Sequence, residues 1–293
     1  MRARAVFIAI LPALSLAAQN NSAPLAEYLD ALARTAATFS VTAPGLAADE
    51  TLDQRGRRGF MEILRGKNNK VRSADFKLPD EFRAHRVIST WRLEEAGEGR
   101  VLHEVRTIVK MDGEDRAPDT EARHAMTIGT RSTDDETKRR LLENLDQEQL
   151  EGAVTDFGQI ILLFTPRLLR DYEFSLGNPG TLDGASAIVL RYLQTAGDQG
   201  LTFFEERTEN RQPAAGEIWL RASDLLPLRI TIATEEPTAK KYTIRTEATI
   251  DYRPSRFGLA PDHVIHRQFM NTSLMVENDL HYANFHRAHA MIP

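Results

Sequence analysis

The sequence predicts an α+β fold in which helices cover the apolar face of an antiparallel sheet. Two observations predict the sheet: apolar and polar residues alternate along several short runs, and turn-forming residues separate these runs. The connections are too short for the crossovers that parallel strands need, so the strands are antiparallel. A third observation predicts the covering layer, because a sheet with one wet face must bury the other and three segments have helical patterns.

The clearest part of the sheet is Gly216–Tyr252, which reads as three antiparallel strands joined by two short turns. In the last of these strands, apolar residues such as Ile244 and Ile250 fall on one face. Charged residues such as Arg245 and Glu247 fall on the other, as the two-residue period of a strand requires. One face of this sheet is therefore expected to be wet.

The N-terminus predicts a secretory signal peptide of residues 1–17. Arg2 and Arg4 precede an apolar run from Ala5 to Leu16, and a small-residue cleavage signal closes it. This run of about 12 residues is shorter than the roughly 20 that span a bilayer. The chain contains no cysteine, so there is no lipid-accepting cysteine after the signal. We expect a soluble periplasmic or secreted protein whose residues 18–293 form one domain.

The first half of the mature chain predicts one helix, one connection and two strands. Pro24–Phe39 has apolar residues at helical spacing, with Pro24 in the first turn. Residues 40–80 are rich in Gly, Asp and charge, which predicts a mostly irregular connection. Strands are predicted at Arg86–Leu93 and Val101–Met111.

Two further helices and a series of strands complete the prediction. Asp134–Leu150 reads as a charged amphipathic helix inserted into the domain. Val154–Phe164 is nearly continuous in apolar residues, which indicates a short helix buried on most sides, or a buried strand. The strands predicted around Gly216–Tyr252 are Asp171–Leu176, Ala185–Gln194, Leu201–Glu206, Asp262–Asn271 and Leu274–Phe285.

The C-terminal histidines are the residues that most suggest a chemical site. Five of the eight lie within 27 residues: His263, His266, His281, His286 and His289. If Asp262–Asn271 and Leu274–Phe285 form a hairpin, His266 and His281 approach each other across it, and imidazole is a common zinc or copper ligand. Against this, His263 and His266 point to opposite faces of a strand, and no fixed acidic third ligand is evident. We expect no metal and no other cofactor.

No other pattern in the sequence indicates catalysis or nucleic-acid binding. The closest string to a serine-nucleophile elbow, Asp183–Ala187, lacks the required pattern and reads as a turn at a strand start. The formal net charge is −5, and loss of Arg2 and Arg4 with the signal peptide makes it more negative, which disfavours nucleic acid as a partner. We expect a protein that is not an enzyme.

The order of several short motifs resembles the periplasmic lipoprotein-carrier (LolA-like) superfamily. These motifs are Gly216–Leu220, the proline-led strand Leu226–Ile230, Asp251–Tyr252, the Leu259–Pro261 turn and Tyr282–Phe285. Exported acidobacterial-type proteins of unassigned role are similar in the same way. The resemblance spans roughly residues 155–286. It implies a strongly curved antiparallel sheet, an incomplete β-barrel, whose concave apolar side is covered by helices and holds acyl chains.

The resulting hypothesis is a monomeric extracytoplasmic carrier or binding protein for a lipid or lipidated protein. Its apolar cavity is expected to be lined by Phe157, Ile160, Ile161, Phe164, Ile218, Leu220, Leu228, Ile230 and Ile244. The alternative is an envelope protein-interaction or sensor domain with a filled interior, which binds a protein partner and no apolar ligand. A continuous apolar cavity distinguishes the first hypothesis from the second.

Overall fold

The computed structural model describes residues 15–58, 80–96, 101–116, 156–197, 201–205, 208–237 and 243–288. These ranges contain the α-helix α1 (Ser15–Thr42) and two short 3-10 helices, Ile160–Phe164 and Leu169–Asp171. The strands, in chain order, are β1 (Leu46–Arg57), β2 (Phe82–Ala96), β3 (Val101–Met111), β4 (Glu114–Asp115), β5 (Tyr172–Leu176), β6 (Gly180–Leu182), β7 (Ala185–Gln194), β8 (Leu201–Glu205), β9 (Thr208–Gln212), β10 (Ala215–Arg221), β11 (Pro227–Pro237), β12 (Thr243–Ser255), β13 (Gly258–Met270) and β14 (Ser273–Arg287).

Twelve of these strands form one antiparallel sheet in the order β4-β3-β2-β1-β14-β13-β12-β11-β10-β7-β5, with β6 also paired to β7. Strands β8 and β9 form a separate two-stranded sheet. The large sheet is strongly curved and unclosed, because β4 and β5 end it without pairing to each other. The predicted curved antiparallel sheet is therefore confirmed. Covering of its concave face by helices remains a prediction.

The strands with alternating sequences lie where they were predicted. The Gly216–Tyr252 stretch forms β10, β11 and most of β12. Along β12 the inward row, from Ile244 through Thr246 to Tyr252, is buried, whereas the outward row is half-buried. The predicted C-terminal hairpin is β13 with β14, and the Asp183 turn joins β6 to β7. Alternation is reliable here because one face of these strands is apolar and the other polar.

Strand β1 contradicts the irregular connection predicted for residues 40–80. It lies inside the sheet, paired with β2 on one side and β14 on the other. Its inward row contains Ala48, Glu50, Leu52 and Gln54, all of which are buried. Because two of these four are polar, the apolar–polar alternation that predicts a strand is missing from the sequence. For residues 46–57 the prediction was wrong because the interior next to β1 is polar, and residues 59–79 lie outside the described residues.

Helix α1 is longer than the helix predicted for Pro24–Phe39. It begins before Pro24, so this proline lies inside the helix and not in its first turn. Leu32, Ala36 and Phe39, which recur at helical spacing, are buried in the same hydrophobic cluster as the interior of the sheet. In the part of the chain that the structure describes, no helix is both long and hydrophobic enough to cross a membrane.

The other two predicted helices have different outcomes. Within Val154–Phe164, the structure forms a single 3-10 helix, Ile160–Phe164, and all five of its residues are buried. The segment is thus as buried as predicted, but its helix is shorter. The predicted helix Asp134–Leu150 lies outside the described residues.

Candidate functional site

Most of the residues expected to line an apolar cavity are packed in the core. Phe157, Ile160, Ile161, Phe164, Ile218, Leu220 and Ile230 belong to one buried hydrophobic cluster, and Ile244 is buried as well. Leu228 is only half-buried and borders a pocket on the other face of the sheet. The cause is a β-bulge in β11, because Trp219 pairs with Arg229 and Leu220 with Pro227, which leaves Leu228 as the extra residue.

A cleft lies between α1 and two turns of the sheet, and we call it the α1 cleft. Its volume is about 400 Å³, within the range of small-molecule sites. The helix lines it with Ala31, Arg34, Thr35, Thr38, Phe39 and Thr42. The β10–β11 and β12–β13 turns line it with Asp224, Leu225, Leu226, Pro254, Ser255, Gly258 and Leu259. None of the nine residues predicted to line a cavity borders this cleft.

The β10–β11 turn holds two leucines at the edge of the α1 cleft. Leu225 has φ 59°, a left-handed conformation that is uncommon for a leucine. Its N–H donates to the carbonyl of Arg221 (2.8 Å), and the Arg221 N–H donates to the carbonyl of Leu226 (2.9 Å). The Asp224 carboxylate accepts from the N–H of Leu226 and pairs with Arg221. These contacts fix the turn and so compensate for the strain at Leu225.

The β12–β13 turn approaches the end of α1 so closely that it needs a glycine. Gly258 has φ +114°, and a Cβ added there would lie 3.1 Å from Oγ1 of Thr42. Ser255 supports the turn, since its hydroxyl donates to the carbonyl of Gly258 and accepts from the N–H of Phe257. Both turn edges of the cleft are therefore fixed by hydrogen bonds within the turns.

The walls of the α1 cleft offer few free polar groups. The hydroxyls of Thr35, Thr38 and Thr42 each donate to a carbonyl one turn earlier in α1, so their hydrogen-bond donors are already used and only their oxygens can accept. Asp224 is paired with Arg221. Arg34 is exposed and has no ion-pair partner among the described residues. The cleft thus combines mostly satisfied or apolar walls with one available positive charge.

A buried ionic cluster fastens the segment that follows residue 155 to the sheet. Its members are Glu50, His103, Glu104, Arg106 and Asp156, each at most 2% exposed. Arg106 donates from Nε to both oxygens of Glu50 (2.7 and 2.8 Å) and from Nη2 to Glu104 (2.9 Å).

Glu104 is the member that reaches the following segment. Its carboxylate accepts the backbone N–H groups of Asp156 (2.9 Å) and Gly158 (2.7 Å). Asp156 in return accepts the N–H of Glu104 (2.8 Å) and lies 3.1 Å from Nδ1 of His103. Burial raises the pKa of Glu104, against the attraction of Arg106, and the carboxylates of Asp156 and Glu50 raise it further.

A second polar chain crosses the interior beside this cluster. Gln54 donates to Asn278 (2.7 Å), and Nδ2 of Asn278 donates to Nδ1 of His266 (3.0 Å). The His266 ring lies against Phe157, with ring centroids 5.4 Å apart. Burial lowers the pKa of His266 to about 3, so this imidazole is neutral at ordinary pH.

The structure separates the two histidines that the sequence predicted to approach each other. His263 and His266 do point to opposite faces, as expected, but His266 pairs with Asn278 and it is His263 that pairs with His281. A β-bulge between Gln268 and Phe269 shifts the hairpin register by one residue, and nothing in the sequence indicates it. His263 and His281 lie on the outer face, where they border a pocket of about 570 Å³.

Comparison with known proteins gives structural similarities only. No protein-family model and no curated protein matches the chain. A DUF1329 family protein from Desulfovibrio piger is 10% identical, with 92% of this chain and 95% of that chain covered and a TM-score of 0.39. A structure named for an outer membrane lipoprotein-sorting protein domain, from Vibrio parahaemolyticus, is 9% identical, with 94% of each chain covered and a TM-score of 0.38.

A LolA superfamily protein from Nitrosomonas europaea is also similar. It is 9% identical, with 90% of this chain and 94% of that chain covered and a TM-score of 0.34. The names of the Vibrio and Nitrosomonas proteins agree with the resemblance predicted from the sequence. At these identities and TM-scores, the similarities carry no conclusion about ligand or activity.

Proposed function

We propose that the protein is an extracytoplasmic binding or carrier protein that holds the apolar chain of a lipid or lipidated protein in the α1 cleft. The observation that carries this proposal is the cleft itself, with Phe39, Leu225 and Leu259 in its walls and Arg34 beside them. Apolar walls suit an acyl chain, and the available positive charge of Arg34 suits an anionic headgroup. The proposal is of a binding protein and not of an enzyme.

Burial of an acyl chain sets the upper limit of the affinity that such a cleft can supply. Each buried methylene contributes about 0.8 kcal/mol, so burial of about ten contributes about 8 kcal/mol before the costs of ordering the ligand. Before those costs are subtracted, a free energy of that size corresponds to a dissociation constant on the order of a micromolar, which is therefore the upper limit of the affinity. Few specific polar contacts are needed, which fits walls whose hydroxyls are already bonded to α1.

The proposed location follows from the N-terminal sequence. Residues 1–17 would act as a secretory signal peptide, and the mature chain would work as a soluble monomer outside the cytoplasm. A protein of the cell envelope is a further partner that would receive or deliver the lipidated ligand.

The test uses a fatty acid that carries an environment-sensitive fluorophore. Thr38→Trp places a large ring in the cleft and should weaken probe binding at least tenfold. Ser40→Trp is the matched control, because Ser40 is also an exposed hydroxyl residue of α1 bonded to its own helix but does not line the cleft. Arg34→Gln should weaken binding of the acid but not of the corresponding fatty alcohol. Equal affinities in Thr38→Trp and Ser40→Trp would contradict the cleft as the site.

The second candidate is an envelope protein-interaction or sensor domain without an apolar ligand. The observation in its favour is that eight of the nine predicted cavity residues are buried, which is what a filled interior requires. This candidate replaces the first if the folded wild-type protein shows no saturable binding of the acyl probe at micromolar concentration.

A further inference from the structure

The outer face of the β13–β14 hairpin brings two histidines and an aspartate together. His263 lies directly opposite His281, and their rings stack with centroids 4.2 Å apart and an interplanar angle of 6°. Asp279 lies two residues before His281 and therefore on the same face of β14. Its Oδ1 is 2.6 Å from Nε2 of His263 and 3.1 Å from Nε2 of His281. One possible ligand atom from each side chain lies within 4.8 Å of the other two.

These side chains are accessible as well as close. His263, Asp279 and His281 are 25%, 41% and 57% exposed, and the two histidines border the outer pocket of about 570 Å³. An incoming ion could therefore reach all three without opening the sheet. All three side chains also stand on paired strands, which hold their backbones at a fixed separation.

A fourth residue lies near His263 on the neighbouring strand. Oδ2 of Asp251 in β12 lies 3.8 Å from Nδ1 of His263. This is the other ring nitrogen, since Asp279 contacts Nε2. Asp251 is itself held by two hydrogen bonds from Arg229, of 2.6 and 2.9 Å. A carboxylate near the second ring nitrogen is the usual support of a metal-ligating histidine, because it fixes the ring and the tautomer.

We propose that His263, Asp279 and His281 bind a divalent transition-metal ion, with Zn²⁺ as the reference ion, through both Nε2 atoms and the Asp279 carboxylate. Imidazole and carboxylate together suit zinc, copper or nickel better than magnesium or calcium. Tetrahedral zinc ligands at about 2.0–2.2 Å from the ion lie about 3.3 Å apart, close to the present distances of 2.6 and 3.1 Å from Asp279 to the two histidines. The two rings are now parallel, so binding also requires a ring rotation that turns both Nε2 lone pairs towards the ion. Water would complete the coordination.

The site differs from the expectation drawn from the sequence in both of its deciding features. In the hairpin register His263, and not His266, lies opposite His281, and without the bulge His263 would face Leu280. The missing acidic ligand is Asp279, which comes from the same strand as His281. The inference is independent of the α1 cleft, because the two sites share no residue.

The test is calorimetric titration of ZnCl₂ into chelator-treated protein from which any histidine tag has been removed. We expect one ion per chain and a loss of affinity of at least tenfold in Asp279→Ala and in His281→Ala. Asp251→Asn should weaken binding by about 10- to 100-fold, as loss of a supporting carboxylate does. Substitution of Co²⁺ should give visible absorption bands that are absent in His281→Ala.

Two controls make the result specific to this cluster. Asp262→Asn removes another carboxylate of the same pocket, which pairs with Arg253, and His286→Ala removes an exposed histidine farther along β14. Both should bind Zn²⁺ like the wild type. Circular dichroism checks that each variant is folded. Absence of saturable binding in the wild type, or unchanged binding in folded His281→Ala, overturns the proposal.

Discussion

Replacement of Arg106 by methionine tests whether the buried ionic cluster holds the structure together. Arg106 is 2% exposed and donates three charge-assisted hydrogen bonds to Glu50 and Glu104. Methionine keeps a similar length but leaves both carboxylates buried without their cation, beside that of Asp156. Removal of one partner from a buried ion pair typically costs about 3–5 kcal/mol, a large share of the roughly 5–15 kcal/mol that stabilise a domain.

The assay is urea unfolding followed by tryptophan fluorescence. Trp91 is suited to it, since it is buried, pairs with Arg106 across β2 and β3, and packs against Tyr282 with centroids 5.1 Å apart. The expected loss of free energy of unfolding corresponds to a fall in melting temperature of roughly 6–20 °C. Arg191→Met is the control, because Arg191 is 58% exposed and its 3.4 Å contact with Glu217 should contribute under about 1 kcal/mol.

A second substitution separates uncompensated charge from lost packing. In the double variant Arg106→Met with Glu50→Gln, one of the unpaired carboxylates is gone, so part of the lost stability should return. The reasoning is refuted if Arg106→Met unfolds at the same urea concentration as Arg191→Met. It is also refuted if the second substitution only adds to the loss.

Two further predictions concern other interior residues. The pKa of His266 falls from 6.5 to about 3 on folding, so the unfolded state binds this proton first. The contribution of neutral His266 to the free energy of unfolding is therefore full above about pH 6.5 and falls as the pH falls towards 3. About 2 kcal/mol of it is lost between pH 7 and pH 5. In denaturant melts, the free energy of unfolding of His266→Gln should not show this loss between pH 7 and pH 5. An equal loss in the wild type and in His266→Gln would contradict the prediction. Ile161 is fully buried, so Ile161→Trp should lower the free energy of unfolding by about 1–3 kcal/mol through overpacking. The affinity for the acyl probe should stay unchanged. An unchanged free energy of unfolding would instead indicate an interior cavity.

The sequence predicted the strands whose two faces differ in polarity. β7 and the β10–β12 meander follow this rule, and their observed bounds match those predicted or lie within a few residues of them. β3 also has its predicted bounds, although Glu104 and Arg106 on it are buried. β1 does not follow it, because Glu50 and Gln54 occupy inward positions next to Ala48 and Leu52. Hydrogen bonds from Arg106 and Ser89 to Glu50, and from Gln54 to Asn278, make their burial tolerable, and these partners are distant in sequence.

Positions within the candidate sites depended on details that local sequence patterns do not contain. One bulge moves Leu228 out of the inward row of β11, and another brings His263 opposite His281. A bulge changes side-chain direction or register beyond the point of insertion, so a strand can be predicted well and its cross-strand neighbours wrongly. The α1 cleft was missed for a different reason, since its walls come from a helix and two turns that meet only in the folded chain.

The buried ionic cluster bears on which of the two apolar regions the proposed ligand would occupy. One route to the core around Ile161 is displacement of the segment from Asp156 to Phe164, which Glu104 holds through the N–H groups of Asp156 and Gly158. Breaking these bonds would leave a buried carboxylate unsatisfied, at a cost of several kcal/mol that would subtract directly from the affinity for an acyl chain. The α1 cleft is already open and carries no such cost. We therefore expect an apolar ligand to bind in the α1 cleft, although the hydrophobic core around Ile161 is more apolar.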